Sequence, residues 1–118
     1  MTLHDPPLFA FLFTDIQGST RSWEEDPRAM ASLVEEHDLR MQEAVASNGG
    51  KVIKQTGDGV FAVFDRAVDA LSAAIEAQLK LPRRLKARMG IHTGSAIRRG
   101  DDYFGNDVNR TARLMAIA

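Results

Sequence analysis

Residues Leu8-Phe9-Ala10-Phe11-Leu12-Phe13 are apolar at every position. A strand with one wet face alternates apolar and polar side chains, so a run without alternation has both faces covered. Phenylalanine fills half of the run, and its length is far short of the ~20 residues a membrane-spanning helix needs. The run therefore predicts a central β-strand. It ends at Thr14-Asp15, followed by Ile16-Gln17-Gly18-Ser19-Thr20. This polar, glycine-bearing cluster predicts a tight strand-to-helix turn, with Ser19-Thr20 capping a short helix around Trp23.

Downstream, helical and strand patterns alternate. Asp26-Pro27 predicts a helix start, and Met30, Leu33, Val34, His37, Met41, Ala44 and Val45 recur at helical spacing until Asn48-Gly49-Gly50. Lys51 to Gln55 and Val60 to Phe64 predict two strands joined by the hairpin turn Thr56-Gly57-Asp58-Gly59. Asp65 is expected to cap a second long helix whose inward stripe is Val68, Leu71, Ile75 and Leu79, ending at Leu81-Pro82. Ala87 to His92 predicts a strand with Ala87, Met89 and Ile91 on one face and a bend at Gly94. Arg99 to Asp102 predicts a loop, and Asp107 to Ile117 a last helix with Val108, Ala112 and Met115 inward. One hairpin inside an otherwise alternating order suggests an α+β sandwich of the ferredoxin-like, split-βαβ kind.

Composition narrows the function. The 118 residues suit one domain, 1–118. The net charge of −1 carries no electrostatic footprint for nucleic acid. With no cysteine, a disulfide framework, a thiolate metal site and a cysteine nucleophile are excluded. No basic leader and no membrane-length apolar run are present, so the expectation is a cytoplasmic domain whose segment makes no membrane contact. The charge is uneven: residues 1–59 carry −5 and residues 60–118 carry +4. Chance and solvated helix faces are one explanation. A first half that holds cations and a second that meets an anion is the other.

Several side chains suit phosphoryl chemistry. Asp15 follows a buried strand and precedes a helix start. Such a turn offers amides to a phosphate, and a carboxylate there can hold a hard cation bridging to it. Asp58, between glycines at the hairpin tip, is placed for close approach by a ligand. Each is also an ordinary turn residue when taken alone. In a split-βαβ sheet the first strand and this hairpin are neighbours, and paired carboxylates beside a phosphate-binding turn resemble a two-metal phosphoryl-transfer site. Lys54 is expected on the face of Val52 and Thr56. Asp102 reads as a loop charge, and Asn109 and Arg113 share a helix face on which Arg113 offers a planar fork to phosphate. His92 reads as a structural strand-end histidine, and His4 and His37 have no metal-like spacing.

Joint order adds what single residues do not. Phe13-Thr14-Asp15-Ile16-Gln17-Gly18-Ser19-Thr20, Thr56-Gly57-Asp58-Gly59, Gly90-Ile91-His92-Thr93-Gly94, and the segment from Asp102 to Arg113 closely resemble the class III nucleotidyl cyclases, the adenylate/guanylate cyclase catalytic domain. The resemblance implies that Asp15 and Asp58 hold two Mg²⁺ or Mn²⁺ ions. It implies that Lys54 and Asp102 read adenine, Asn109 orients the ribose and Arg113 stabilises the transition state. Backbone amides of Ile16, Gln17, Gly18 and Ser19 are expected to bind the triphosphate. The implied activity is adenylate cyclase, converting ATP to 3′,5′-cyclic AMP and pyrophosphate. The implied assembly is a homodimer with composite intersubunit sites, and the charge asymmetry suits an acidic half meeting a basic half. The resemblance also implies that the family's domain continues past Ala118 with further strands, and that some members carry a basic residue where Ser95 stands. The rival expectation is a catalytically silent, nucleotide-binding regulatory module of a signalling protein.

Overall fold

The computed structural model describes residues 8–55, 59–83, 85–95, 97–99 and 102–104, without the side chains of 19, 20, 97–99 and 102–104. In chain order these form β1 (Leu8–Ile16), α1 (Ser19–Glu25), α2 (Pro27–Ser47), β2 (Lys51–Gln55) and β3 (Gly59–Phe64). Then come α3 (Ala67–Lys80), β4 (Ala87–Ser95), β5 (Ile97–Arg99) and β6 (Asp102–Phe104).

The apolar run is central as its sequence requires. β1 lies between β3 and β4 in a four-stranded sheet of order β2-β3-β1-β4, and every neighbouring pair is antiparallel. β2 therefore runs the same way as β1, with β3 inserted between them. That is the split βαβ arrangement of a ferredoxin-like sandwich, as expected. β5 and β6 pair antiparallel in a separate two-stranded sheet.

The strands' alternation divides the core in two. Ala10 and Leu12 of β1 join Val60, Ala62 and Phe64 of β3 against Met41, Ala44 and Val45 of α2 and the alanines of α3. The opposite face carries Phe11, Phe61 and Val63 with Phe9, Phe13 and Ile53, and no helical residue among those described. Phe13 and Phe61 stack there at 4.1 Å between ring centroids. A smaller cluster of Ile16, Met30 and Leu85 joins the end of β1 to α2 and to the approach to β4. Complete burial of a side chain such as Phe11 stabilises by about 1.5–3 kcal/mol, so this strand anchors both layers.

The ends of α2 behave as read. Asp26 caps it by accepting from the Ala29 amide at 3.2 Å, and Pro27 opens the first turn. At its far end Gly50 donates to the Val45 carbonyl at 2.9 Å. A Cβ on Gly50 would lie 2.3 Å from the Phe64 ring, so the turn into β2 admits no side chain there.

Four local expectations are corrected. α1 is capped by Gly18, one residue before Ser19-Thr20, with no side-chain cap bond. α3 begins at Ala67 with Arg66 as its cap, also without a side-chain bond, so Asp65 stands one residue too early. Gly94 does not bend the chain: it continues in β4 opposite Phe9, because the long β1 offers a partner for every residue up to Ser95. The largest correction is α3. Ala70, Ala73, Ala74 and Ala77 face the core, while Val68, Leu71, Ile75 and Leu79 are exposed, Leu79 at 81%. Small side chains let the helix axis approach a sheet already crowded by Leu12 and Phe64. Helical spacing alone cannot choose between two apolar stripes on one helix. The helix expected over 107–117 lies outside the described residues.

Candidate active site at the end of the central strand

β1 delivers Asp15 to the end of the sheet on the aromatic face. Its two strand partners are Gly59 in β3 and Arg88 in β4. The residue bonded to Gly59 on its N-terminal side is Asp58, which itself lies outside the described residues. Arg88 grips Asp15 with both arms of its fork. Nε donates to Oδ1 at 2.7 Å and Nη2 donates to Oδ2 at 2.6 Å. A two-point guanidinium–carboxylate pair is directional and stronger than a neutral hydrogen bond. The Asp15 side chain is 23% exposed and that of Arg88 39%, so the pair sits at the solvent boundary.

The turn after Asp15 is held from both sides. Ile16 is buried against Met30 and Leu85. The Gln17 amide donates to the Lys86 carbonyl at 2.8 Å. Gly18 then takes the left-handed conformation, with φ of 72°, which a side chain would oppose. Its carbonyl accepts from the Ser22 amide at 3.1 Å. Of the four residues expected to bind triphosphate by their amides, Ile16 also anchors the turn through its buried side chain. The Gln17 amide is engaged within the protein, and Gly18 and Ser19 open a helix that lacks a side-chain cap.

A buried polar chain backs the site. Thr14 and His37 are buried, and Thr14 Oγ1 lies 3.2 Å from His37 Nε2. The Val60 amide donates to Thr14 Oγ1 at 3.2 Å. His37 Nδ1 lies 3.0 Å from Asp38 Oδ1. A carboxylate only accepts, so Nδ1 carries the proton, and in the neutral ring Nε2 accepts from the Thr14 hydroxyl. The chain ties α2 to β1 and β3 at the residue before Asp15.

Lys54 is exposed on β2, and a register shift between Val52 and Lys54 changes its side. Val52 pairs with Ala62, on the helix face, whereas Lys54 pairs with Phe61, on the aromatic face. Lys54 therefore shares a face with Asp15 and not with Val52, because a bulge places two residues opposite one. The Phe61–Phe13 pair lies between them. Asp102 begins β6 opposite Arg99, so it stands in a strand and not in a loop. Asn109 and Arg113 lie outside the described residues. The structure thus brings Asp15 beside Gly59 and sets Lys54 on the same face, and it puts Asp102 in the separate two-stranded sheet.

Reading from sequence missed Arg88, Thr14 and His37. Arg88 was legible only as a charge alternating with Ala87 and Met89; its pairing with Asp15 depends on the β1–β4 register. His37 carried the signal of a polar residue within an apolar helical stripe.

A carboxylate oxygen donor suits a hard divalent cation, and both oxygens of Asp15 already hold a cationic group. The donor type at Asp15 suits a hard cation, which would have to share or displace the Arg88 fork there. Among the described residues no cluster of three or more metal-ligating side chains occurs, and no helix is long and apolar enough to cross a membrane. An apolar groove of about 420 Å³ between α3 and β4, lined by Ile75, Leu79, Met89 and Ile91 among others, opens on the helix side.

Comparison with known proteins gives one consistent result. The adenylate and guanylate cyclase catalytic domain matches residues 7–118. An uncharacterized protein of Mycobacterium tuberculosis is 36% identical over 109 residues, covering 91% of this chain and 38% of that protein. The adenylate cyclase of Podospora anserina is 30% identical over 143 residues, covering 94% of this chain but 7% of that protein. Among solved structures, the adenylate/guanylate cyclase/hydrolase from Silicibacter pomeroyi is 35% identical, with a TM-score of 0.74 over 97% of this chain and 72% of that one. A Trypanosoma brucei adenylate cyclase solved in its monomeric state shares the fold, with a TM-score of 0.85 at 22% identity, over 95% of this chain and 70% of that one.

Proposed function

The chain belongs to the adenylate and guanylate cyclase catalytic-domain family, and from that premise we propose that it acts as an adenylate cyclase, closing ATP to 3′,5′-cyclic AMP with release of pyrophosphate. The observation that carries the reading is Asp15. It lies one residue before the end of the central strand and is the strand partner of the glycine that follows Asp58. Asp15 and Asp58 would hold two Mg²⁺ or Mn²⁺ ions, which supply charge neutralisation at the triphosphate and a lowered pKa for the ribose 3′-hydroxyl.

The remaining work falls to the chain's own groups. The backbone amides of Gly18, the cap residue, and Ser19, the first residue of α1, would bind the triphosphate. Lys54 donates to ring N1 of adenine, and Asp102 accepts from the 6-amino group. Guanine presents the reverse pattern at those atoms and leaves polar groups unpaired, which is the basis of selection for ATP. Asn109 orients the ribose. The 3′-oxygen attacks the α-phosphorus in line, the bond to the bridging oxygen breaks, the hydroxyl proton passes to water, and pyrophosphate leaves. Arg113 offsets the charge on the α-phosphoryl oxygens. The sites are composite, with the metal aspartates from one protomer and the purine pair, Asn109 and Arg113 from its partner in a homodimer.

The test is cyclic AMP formation by the chain with Mn²⁺ and ATP, with GTP in parallel. Asp58→Ala is expected to abolish product. Product that persists in that variant refutes the two-metal assignment, and cyclic GMP in excess of cyclic AMP refutes the purine reading. The rival reading is a silent nucleotide-binding module, and the occupation of Asp15 by Arg88 favours it. Nucleotide binding with no turnover at any Mn²⁺ concentration would establish that reading.

A further inference from the structure

We propose that Lys86 is a further cation of the Asp15 site, one that binds the outer phosphates of the nucleotide, those that leave as pyrophosphate. The inference deepens the cyclase reading and rests on it. It starts from how the chain alternates as it enters β4. Leu85 and Ala87 both pack into the cluster of Ile16 and Met30, on the side of α2. In extended chain, neighbouring side chains point to opposite faces, so Lys86, between them, stands on the other face. That is the face of Arg88, two residues on, and of Asp15, whose carboxylate the Arg88 fork holds. The Gln17 amide bonded to the Lys86 carbonyl at 2.8 Å continues the β1–β4 ladder one step past Ile16 and Ala87. Lys86 is thus fixed beside the turn that follows Asp15, about 7 Å along the chain from Arg88.

Charge and exposure suit this role. The Arg88 guanidinium is matched by the Asp15 carboxylate. Lys86 is exposed, and among the described residues its side chain has no ion pair and no hydrogen bond. The described groups at this end of the face therefore leave a net positive charge, and Lys86 carries it. Its backbone is held on both sides: Gln17 bonds its carbonyl, and Gln78 Nε2 of α3 donates to the carbonyl of Ala87 at 3.1 Å. Its head is free, because an ammonium on a four-carbon stem is a compact point charge with three rotatable donors. A pinned base with a mobile charge suits phosphates that are first held and then released, as the outer two are when their bond to the α-phosphorus breaks. Lys86 would touch the departing group and none of the groups that close the ring, and so is a binding residue.

The test is isothermal titration calorimetry on the full chain in the presence of Mg²⁺, with inorganic pyrophosphate, the α,β-methylene analogue of ATP, and AMP as probes. Lys86→Gln is expected to weaken pyrophosphate and the analogue about fivefold, the scale of one exposed charge pair. It is expected to leave AMP, which lacks the outer phosphates, unchanged. The loss is expected to shrink as salt is raised. Lys86→Arg keeps the charge and is expected to restore pyrophosphate binding. Lys86→Met, which retains the apolar stem, reads the same quantities if the glutamine chain fails to fold. If Lys86→Gln binds pyrophosphate as tightly as the unaltered chain, while Asp15→Asn still weakens the analogue, the inference is refuted and the cyclase reading stands. An equal loss for AMP also refutes it, because the lysine then meets the α-phosphate. If Asp15→Asn leaves the analogue's binding unchanged, the metal reading fails and the inference with it.

Discussion

Replacing Thr14 by valine isolates the polar chain behind Asp15. The two side chains have nearly the same shape, so packing is preserved and only the hydroxyl is lost. Thr14 is 5% exposed and His37 0%, so water cannot replace the missing group without opening the junction of α2 with β1. Two contacts disappear, the one to His37 Nε2 and the one from the Val60 amide. Stranding a buried hydrogen-bonding group costs about 1–3 kcal/mol, and we expect a total loss of about 2–4 kcal/mol on that scale. A domain's whole stability is about 5–15 kcal/mol, so the loss is a large share of it. The assay is equilibrium urea unfolding followed by circular dichroism. With m of about 2 kcal/mol per M, the midpoint falls by roughly 1–2 M. Thr14→Ser keeps the hydroxyl and loses one methyl, which costs about 1 kcal/mol. A valine chain within about 0.5 kcal/mol of the parent, the usual range for an inconsequential change, refutes the network's contribution. So does a serine chain as unstable as the valine chain, which would assign the effect to packing.

Two more tests concern elements that position the site. Gly50→Ala drives a methyl into the Phe64 ring, and overpacking of this kind costs about 1–3 kcal/mol, measurable as a lowered thermal midpoint. On α3, Ala73→Leu should destabilise by about 1–3 kcal/mol, whereas Leu79→Lys should stay within about 0.5 kcal/mol. The reverse order in urea unfolding would show that the helix is turned the other way.

Much of the fold was legible because its signals are local. An unbroken apolar run, Asp26-Pro27 and Asn48-Gly49-Gly50 each act within a few residues, and each produced the expected strand, helix start or helix stop. What escaped depends on partners distant along the chain. Arg88 lies 73 residues from Asp15, and nothing near either residue states the register that joins them. The facing of α3 depends on how much room the sheet leaves, and the side of Lys54 on a bulge that regular alternation cannot foresee. Asp15 stood out as a candidate only together with Asp58 and the downstream motifs, and nothing near it announced the Arg88 fork that holds it.

The irregularity in β2 has a further consequence for how the sheet stops. Among the described strands β2 is outermost, beside β3, and an outer strand presents backbone groups on which another chain can add. Regular, flat edges invite such addition, and natural proteins blunt them with bulges and lysines. The kink between Val52 and Lys54, with exposed Lys51 and Lys54 on either side of it, breaks the even spacing an added strand would need. The displacement that carries Lys54 to the side of Asp15 thus also protects this border from self-association through strand pairing.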